Sequence, residues 1–361
     1  MARDVELNAE IARVASKFLA QNFPIVAAGE PLPKEVLKAR WRQMLPLGWT
    51  HILDDGPNEF SGASQIETLF RTWGAHPAPG PAIDMFVALP TLYRRIPQEG
   101  RADLQPYMDG EKLLSLARFA EVGSCVCPDP FAGAVVTDGH LSGEKTLVNC
   151  CEISDAFLVT AQMEGKPVIA LVEAAGNIET TPLQGPDRSS HLSLVRFRDC
   201  AIVGAWPDEQ GKIDTAIERL ARLAIVAELA GMSEVGQRLA VDYAKVRQQF
   251  GRLIGSFQAI KHLLADGQMH VHSLSCVSNR LADDLEAGSA LPGDPMRALC
   301  VASRFAQVVF DNSLQVHGGI GFTLEYALSW YYNRAAGHWG AWGDPGGLAM
   351  QLGRQQLGVA I

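Results

Sequence analysis

The sequence predicts an α+β protein of several domains, with helices at both ends and a sheet between them. Residues 1–112 alternate apolar segments of helical spacing with breaks rich in proline and glycine. Residues 113–206 contain short runs rich in β-forming residues, and residues 207–361 return to helical spacing. We therefore expect an N-terminal helical domain, a middle domain built as a β-sandwich or barrel, and a C-terminal domain like a four-helix bundle. A chain of 361 residues is long enough for two or three domains.

Composition and charge exclude several classes of protein. Hydrophobic residues make up 47% of the chain and charged residues 20%, which is typical of a globular protein. A formal net charge of −9 argues against binding of nucleic acid without regard to sequence, since that activity needs a basic face. No apolar run is long enough to predict a membrane span, and the amphipathic start of the chain is not typical of a signal peptide.

The seven cysteines do not predict a metal site. Cys125 and Cys127 are two positions apart and Cys150 and Cys151 are adjacent, but neither pair has the matching second pair that zinc sites use. Reduced thiols in a cytoplasmic protein are the simpler interpretation. We therefore expect no metal and a cytoplasmic location.

Four helices are predicted in the N-terminal region, because apolar residues recur every three or four positions between the breaks. Their ranges are Val5–Gln21, Pro33–Leu45, Ser61–Trp73 and Ala82–Arg94. Pro31 and Pro33 lie where the second helix would begin, and proline is tolerated in the first turn of a helix. The pattern favours a domain made of helices alone.

Short strands are predicted in the middle region, at Gly139–Val148, Ala156–Thr160 and Val168–Val172. Each is rich in β-branched or aromatic residues and is bounded by glycine or polar turns. Several such strands closely spaced along the chain indicate a small sandwich or barrel.

The C-terminal region begins with the longest predicted helix, Ile213–Tyr243. Between Leu220 and Met232 this helix is apolar almost all round, which predicts burial among other helices. Glycines then break the pattern, a second helix starts near Ser256, and a third covers Asp294–Val316.

Two motifs follow the first and third of these helices. One is Tyr243-Ala-Lys-Val-Arg-Gln-Gln-Phe-Gly-Arg-Leu-Ile-Gly-Ser-Phe-Gln258, and the other is Gln315-Val-His-Gly-Gly-Ile-Gly-Phe-Thr323. In this order and at this separation, they resemble the C-terminal helical domain of the acyl-CoA dehydrogenases, a family of flavoproteins. The order of helices, strands and helices is also that of the family. The resemblance therefore covers nearly the whole chain, although in the N-terminal third it rests on pattern alone.

The resemblance implies a role for both motifs in binding FAD. In the family, the isoalloxazine lies between the β domain and the C-terminal helices of one subunit, and a neighbouring subunit holds the ADP end. Arg247 offers a rigid fork of donors to a pyrophosphate, and Phe250 offers an apolar wall to the ribose or adenine. The glycines of the second motif let a ligand approach the backbone closely. The implied cofactor-binding residues are Arg247, Gln249, Phe250, Phe257, Gln258, Gln315, Val316, Gly318 and Gly319.

Each motif also has a purely structural interpretation. An arginine near a helix end is often solvated or caps the helix, and a glycine pair often only ends a helix. Either motif alone is weak evidence, whereas the two together favour cofactor binding. His317 is expected to be a packed residue rather than a catalyst, because its neighbours match the motif and the imidazole does not.

Four positions depart from the family at the flavin ring. The family has a Thr-Glu-Pro stretch ending in Gly-Ser-Asp, and the corresponding segment here is Phe119–Ser124, with Ala120 and Val122 in place of threonine and proline. After Gly143-Glu-Lys145 the family has tryptophan and then threonine or serine, where this chain has Leu147 and Asn149. The resemblance therefore predicts an eroded isoalloxazine site.

The family's catalytic glutamate is also absent from both of its expected positions. Removing the weakly acidic α-proton of an acyl-CoA needs a carboxylate within hydrogen-bond reach. One position corresponds to Trp342-Gly343, and the other to Ala221 on the long helix. Two carboxylates lie near these positions in the sequence. Asp344 is followed by Pro345, a pair that is typical of a helix N-cap. Glu218 lies one helical turn from Ala221, where it could act as a base or simply be a solvated charge.

These observations favour a subunit of a hetero-oligomer. Some bacterial acyl-CoA dehydrogenases that act on steroid-derived CoA thioesters are α2β2 heterotetramers in which only one subunit type supplies the glutamate. This chain resembles the subunit without it, which would hold the ADP end of the FAD of a glutamate-bearing partner. An electron-transfer flavoprotein or similar acceptor is implied as a further partner. Two alternatives remain: a self-sufficient homo-oligomeric flavoenzyme that uses Asp344 or Glu218, and a non-catalytic scaffold that binds no flavin.

Overall fold

The computed structural model describes residues 4–24, 32–53, 58–120, 129–187 and 189–358. Within them, helices lie before and after a single large sheet, as the sequence predicts. Strands occupy the region from Leu114 to Pro207. The domain boundaries themselves stay a prediction, because one apolar core runs through the N-terminal helices, one face of the sheet and the C-terminal helices.

The helices of the N-terminal region lie close to their predicted ranges. They are α1 (Val5–Asn22), α2 (Lys34–Met44), α3 (Ala63–Ala75), α4 (Leu89–Arg95) and the short α5 (Gln105–Met108). Pro33 lies at the N-cap of α2 rather than inside it, and Pro31 falls outside the described residues.

The predicted helix over 82–94 is not α-helical throughout. Its Asp84–Ala88 stretch is a π-helix that continues into α4. Pro90 at the start of α4 lacks an N–H, and its ring crowds the carbonyl four residues earlier, which widens the preceding turn.

The sheet contains the three predicted strands and several that the sequence did not identify. Its strands are β1 (Leu114–Ala117), β2 (Ala134–Thr137), β3 (His140–Asn149), β4 (Ala156–Met163), β5 (Lys166–Glu173), β6 (Ile178–Pro182), β7 (Leu192–Ala201) and β8 (Gly204–Pro207). Their order is β6-β7-β3-β2-β4-β5-β8, with β1 parallel to β4. A second apolar core fills one side of this sheet, and its members include Phe157 and Phe197.

The described part of the C-terminal region contains five α-helices: α6 (Lys212–Val246), α7 (Gln258–Glu286), α8 (Asp294–His317), α9 (Ala327–Ala341) and α10 (Pro345–Leu357). A two-stranded hairpin, β9 (Gln248–Gln249) and β10 (Arg252–Leu253), joins α6 to α7 and was not predicted. The second helix begins at Gln258, because Ser256 belongs to a 3-10 turn.

Helix α6 is the centre of the bundle. Every residue from Leu220 to Met232 is buried, as its apolar circumference predicts. Glycines allow α3 and α6 to touch: a Cβ on Gly74 would lie 2.1 Å from the carbonyl oxygen of Glu228, and one on Gly231 would lie 2.0 Å from that of Arg71. Larger residues at either glycine would force the two helices apart.

Among the described residues, no helix is long and apolar enough to cross a membrane. The same part of the chain contains no group of three or more His, Cys, Asp or Glu side chains arranged to hold a metal ion. Cys150, Cys151, Cys200, Cys276 and Cys300 are free thiols, and Cys125 and Cys127 fall outside the described residues.

Candidate functional site: an exposed bundle end and a buried ion network

The first motif turns the chain from α6 into α7. Helix α6 ends as Arg247 leaves helical geometry at φ −73° and ψ 131°, and its carbonyl accepts from the Ile254 N–H at 2.9 Å. Phe250 lies at the tip of the β9–β10 hairpin in the left-handed region, at φ 51°, with 92% of its surface exposed. A phenylalanine held in this unfavourable backbone conformation and directed into solvent is typical of a residue that contacts another molecule.

The second motif packs directly against the first. Tyr243 stacks on His317 with ring centroids 4.5 Å apart and an interplanar angle of 24°. Val316 lies in a small apolar cluster with Ala244 and Ile254. Folding therefore brings together two segments that are about 70 residues apart in sequence, and both open onto the same end of the bundle.

His317 is a packed residue, as predicted. It is buried, its Nδ1 lies 2.7 Å from the Ser313 carbonyl oxygen, and its Nε2 lies 3.0 Å from the Tyr326 hydroxyl. Burial lowers the pKa of its imidazole. Both ring nitrogens are thus occupied by neighbours within the chain.

Most of the nine predicted cofactor-binding residues reach the surface at this end. The exposed ones are Arg247, Gln249, Phe250, Gln258, Gln315, Gly318 and Gly319. Phe257 is half-buried under the guanidinium of Arg252, which lies 4.0 Å from its ring centroid. Val316 is buried, so its side chain does not reach this surface, and its role in cofactor binding stays a prediction.

Sequence reasoning missed other exposed residues at this end. Val246 and Phe322 are 73% and 66% exposed, and Ile320 is also exposed. They adjoin or belong to the two motifs, so their position beside motif residues could have identified them. We name the set Val246, Arg247, Gln249, Phe250, Gln315, Gly318, Gly319, Ile320 and Phe322 the bundle-end surface. It combines one guanidinium, amide donors and apolar side chains.

A second cluster lies inside the protein, where β1 meets α6. Arg118, just after β1, donates to both carboxylate oxygens of Asp214 at 2.7 and 2.8 Å. Glu218 accepts from Arg222 at 2.6 Å and lies 3.6 Å from Arg118. We name these four residues the ion network. Arg118, Asp214 and Arg222 are buried, and Glu218 is paired and mostly covered, so it is not the solvated charge that the sequence left open.

Trp342 covers the ion network. Its ring lies 5.2 Å from the guanidinium carbon of Arg118 and packs edge-on against Phe119, and its carbonyl oxygen lies 3.4 Å from Arg222 Nε. Ala221 is completely buried beside Arg222. Trp342 therefore contacts the residue that follows Ala221 in α6, and neither base position carries a carboxylate.

Asp344 caps α10. Its side chain accepts from the Gly347 N–H at 2.7 Å, and Pro345 occupies the first turn of the helix. This arrangement confirms the helix-cap interpretation of the Asp-Pro pair.

Two of the positions that depart from the family also have defined roles in the sheet. Leu147 adopts φ 54° where the pairing of β3 with β7 shifts register. The Asn149 amide donates to the Gly80 carbonyl at 2.8 Å and so binds the sheet to the N-terminal helices. Of the segment Phe119–Ser124, residues 121–124 fall outside the described residues.

Lys145 is the most deeply buried lysine of the sheet. Its Nζ donates at 2.7 Å to the carbonyls of both Pro130 and Ala132, and it lies 3.3 Å from the Arg118 carbonyl. Burial lowers its pKa to about 7. The lysine thus ties the backbone after β1 to the backbone before β2.

Comparison with known proteins identifies the class. The protein-family model described as "Acyl-CoA dehydrogenase, C-terminal domain" matches residues 215–341 of this chain. The acyl-CoA dehydrogenase FadE27 of Mycobacterium tuberculosis is 30% identical over 266 residues, which cover 69% of this chain and 68% of that protein. The chain belongs to the acyl-CoA dehydrogenase family, whose members are FAD-dependent oxidoreductases that act on CH–CH groups.

Solved structures show the same fold over nearly the whole chain. A variant of the steroid acyl-CoA dehydrogenase Tcur3481–Tcur3483 has a TM-score of 0.83 at 22% identity, with 98% of each chain covered. The ChsE4–ChsE5 complex from Mycobacterium tuberculosis has a TM-score of 0.75 at 22% identity, also with 98% of each chain covered. At this identity the likeness concerns the fold.

Proposed function

We propose that this chain is the base-lacking subunit of a hetero-oligomeric, FAD-dependent acyl-CoA dehydrogenase. In this role it holds the ADP end of the FAD of a glutamate-bearing partner subunit. The reaction is the α,β-dehydrogenation of a CoA thioester. The observation that carries the proposal is the contrast between an intact bundle-end surface and two base positions that hold Trp342 and Ala221.

The bundle-end surface fits the ADP part of FAD. Arg247 supplies a charged donor fork for the pyrophosphate, and Gln249 and Gln315 supply neutral donors. Phe250 supplies an apolar wall, and Gly318 and Gly319 leave the backbone accessible. Because these groups point away from the chain's own core, a second subunit can supply the remainder of the site.

A bound flavin would supply the acceptor for the hydride that leaves the β-carbon of the thioester. The α-proton must pass to a carboxylate, and among the residues that the structure describes none is free to receive it near either base position. Glu218 and Asp214 are engaged by Arg222 and Arg118, and Asp344 caps a helix. The partner subunit therefore supplies the base.

The names of the structural neighbours support the substrate class and the assembly. The Tcur3481–Tcur3483 neighbour is named a steroid acyl-CoA dehydrogenase. Its name and that of the ChsE4–ChsE5 complex each combine two protein names. We therefore infer a steroid-derived or related lipid CoA thioester, an α2β2 assembly and a cytoplasmic location. An electron-transfer flavoprotein or similar acceptor completes the proposed set of partners.

Co-expression tests this proposal. The chain is produced alone and together with a glutamate-bearing homologue, and flavin is measured by visible absorbance of each purified sample. FAD is expected only in the complex. Yellow protein from the chain alone, with turnover, would establish the self-sufficient enzyme instead, and a complex without flavin would favour the scaffold.

A matched pair of variants assigns the base. Replacing the partner's catalytic glutamate with glutamine is expected to lower turnover by ~10²–10⁴-fold at equal flavin content, the range of general-base catalysis. Replacing Glu218 with glutamine in this chain is expected to leave turnover per flavin nearly unchanged. The reverse pattern would assign the base to this chain.

A further inference from the structure

We propose that Arg118 and Trp342 form an internal plug that fills the acyl position of this subunit, with Asp214 holding the plug in place. This inference rests on the proposed function and sharpens it. The chain's own catalytic position is closed by its own side chains, rather than being an open pocket that merely lacks a base.

Hydrogen bonds to neighbouring strands hold the backbone at Arg118 in place. Its carbonyl lies 3.3 Å from both Lys145 Nζ and Thr160 Oγ1. The carbonyl of the next residue, Phe119, accepts from the Thr146 N–H at 2.7 Å. Strands β3 and β4 therefore determine where the Arg118 side chain starts.

The guanidinium of Arg118 is held by Asp214. Its guanidinium makes two parallel hydrogen bonds to Asp214, which is the pairing geometry with the greatest directional specificity. Both side chains are about 95% buried, at 4% and 5% exposure. A buried pair of this kind resists opening, because separating the partners leaves an uncompensated charge away from water.

Aromatic rings pack against the guanidinium of Arg118. The guanidinium carbon of Arg118 lies 5.3 Å from the Phe119 ring centroid and 5.2 Å from that of Trp342. The Trp342 carbonyl lies 3.4 Å from Arg222 Nε, so the junction of α9 and α10 is joined to α6 at the same place. Within the network, two guanidiniums pair with two carboxylates.

The plug predicts one acyl site for each pair of different chains. Ala221 is completely buried, so under this proposal a thioester reaches it only by displacing the guanidinium or the indole. A glutamate introduced at position 342 would meet Arg118, a cation that would pair with it. Reintroducing the base alone would therefore not restore catalysis in this subunit.

Thiol accessibility in the assembled complex tests the plug. Ala221→Cys places a thiol behind it, and N-ethylmaleimide labelling at that position is followed by peptide mass spectrometry. Labelling is expected to be about 100-fold slower than that of glutathione, because a buried thiol reacts only during local opening. A rate within threefold or so of glutathione would show an open pocket and overturn the proposal.

A double variant tests which residues form the plug. Arg118→Ala with Asp214→Asn removes the cation without leaving a buried unpaired carboxylate. It is expected to speed labelling of the introduced thiol at least tenfold or so, whereas the control Arg219→Ala should not. Arg219 is a suitable control because it also lies on α6 and stacks on an aromatic ring, that of Phe60 at 4.5 Å, but is not in the ion network. Unchanged labelling in the double variant would exclude Arg118 as the plug.

Footprinting gives the same comparison without an introduced cysteine. Hydroxyl-radical oxidation of Trp342 is expected to be slow in the unsubstituted complex and faster in the double variant. Equal oxidation in both would contradict the proposal. FAD content, measured on the same samples, distinguishes failure of the plug from failure of the proposed function. Fast labelling of the introduced thiol in the complex that keeps Arg118 and Asp214, with FAD retained, refutes only the plug, whereas a complex without FAD refutes the proposed function.

Discussion

Tyr243 lies almost flat against His317, with the ring centroids 4.5 Å apart, and this stack joins the two sequence motifs. Tyr243 is in the last turn of α6 and His317 is the last residue of α8. Stacking of this kind contributes about 0.5–1.5 kcal/mol beyond burial, so it aligns the two helix ends that carry the bundle-end surface. The imidazole thus has a structural role at the centre of a binding surface.

Arg247→Ala is expected to lower the FAD content of the complex. A charge-assisted contact to pyrophosphate contributes about 1.5–3 kcal/mol, which corresponds to roughly 10- to 100-fold weaker binding. The measurement is FAD affinity by titration of the apo-complex. Lys245→Ala is the control, since Lys245 is an exposed cation two residues away that pairs with Asp242. Equal FAD affinity in the Arg247 variant and the control would remove the ADP-holding role.

The isolated chain is expected to self-associate through the bundle-end surface. The apolar run Leu220–Met232 is buried within the chain and does not contribute to this surface. Phe250→Ser combined with Phe322→Ser is expected to shift the isolated chain toward monomer in sedimentation velocity, because 92% and 66% of these side chains are exposed. Met269→Ser, which removes an apolar side chain 62% exposed on α7, should have no such effect. A monomeric unsubstituted chain would contradict this prediction.

Asp344→Asn is expected to leave turnover and stability nearly intact, because asparagine also caps a helix. Asp344→Ala should lower the free energy of unfolding by about 1 kcal/mol while turnover per flavin is preserved. The measurements are thermal unfolding and steady-state turnover with an artificial electron acceptor. A hundredfold loss of turnover in the asparagine variant, with FAD still bound, would make Asp344 the base.

Acid is expected to destabilise the protein through Glu228. Burial alone raises the pKa of this carboxyl, but the charges of Arg334, 2.7 Å away, and His338 outweigh burial and lower the pKa from 4.5 to about 2. A lowered pKa means that the stabilisation is present above pH 4.5 and is lost as the pH falls toward 2, by about 3 kcal/mol in total. Glu228→Gln should flatten this part of the stability profile measured by denaturant unfolding. An unchanged acid slope would refute the assignment.

Lys145 is expected to make stability rise with pH on the alkaline side. Burial lowers its pKa from 10.5 to about 7, so between these values the unfolded chain binds a proton that the folded chain does not. The free energy of unfolding should therefore increase by about 1.4 kcal/mol per pH unit across that interval. Lys145→Met removes the titrating group and should remove the slope, even though it also loses the bonds to two carbonyls. A slope that persists in the methionine variant would place its origin elsewhere.

The sequence alone determined the fold class and the elements whose pattern is local. The apolar circumference of Leu220–Met232 predicts a central helix, and Asp344-Pro345 predicts a helix start. Both predictions are confirmed because helical periodicity and capping depend on residues within one or two turns. The family resemblance likewise came from two contiguous motifs.

Tertiary structure decided what those motifs and charges do. Only folding stacks Tyr243 on His317, pairs Arg118 with Asp214 across 96 positions, and buries Val316 while leaving Phe250 in solvent. Single-sequence patterns do not carry this information, because a guanidinium has the same local signature whether it faces water or a buried carboxylate. The distinction arises from desolvation, which depends on how distant segments pack.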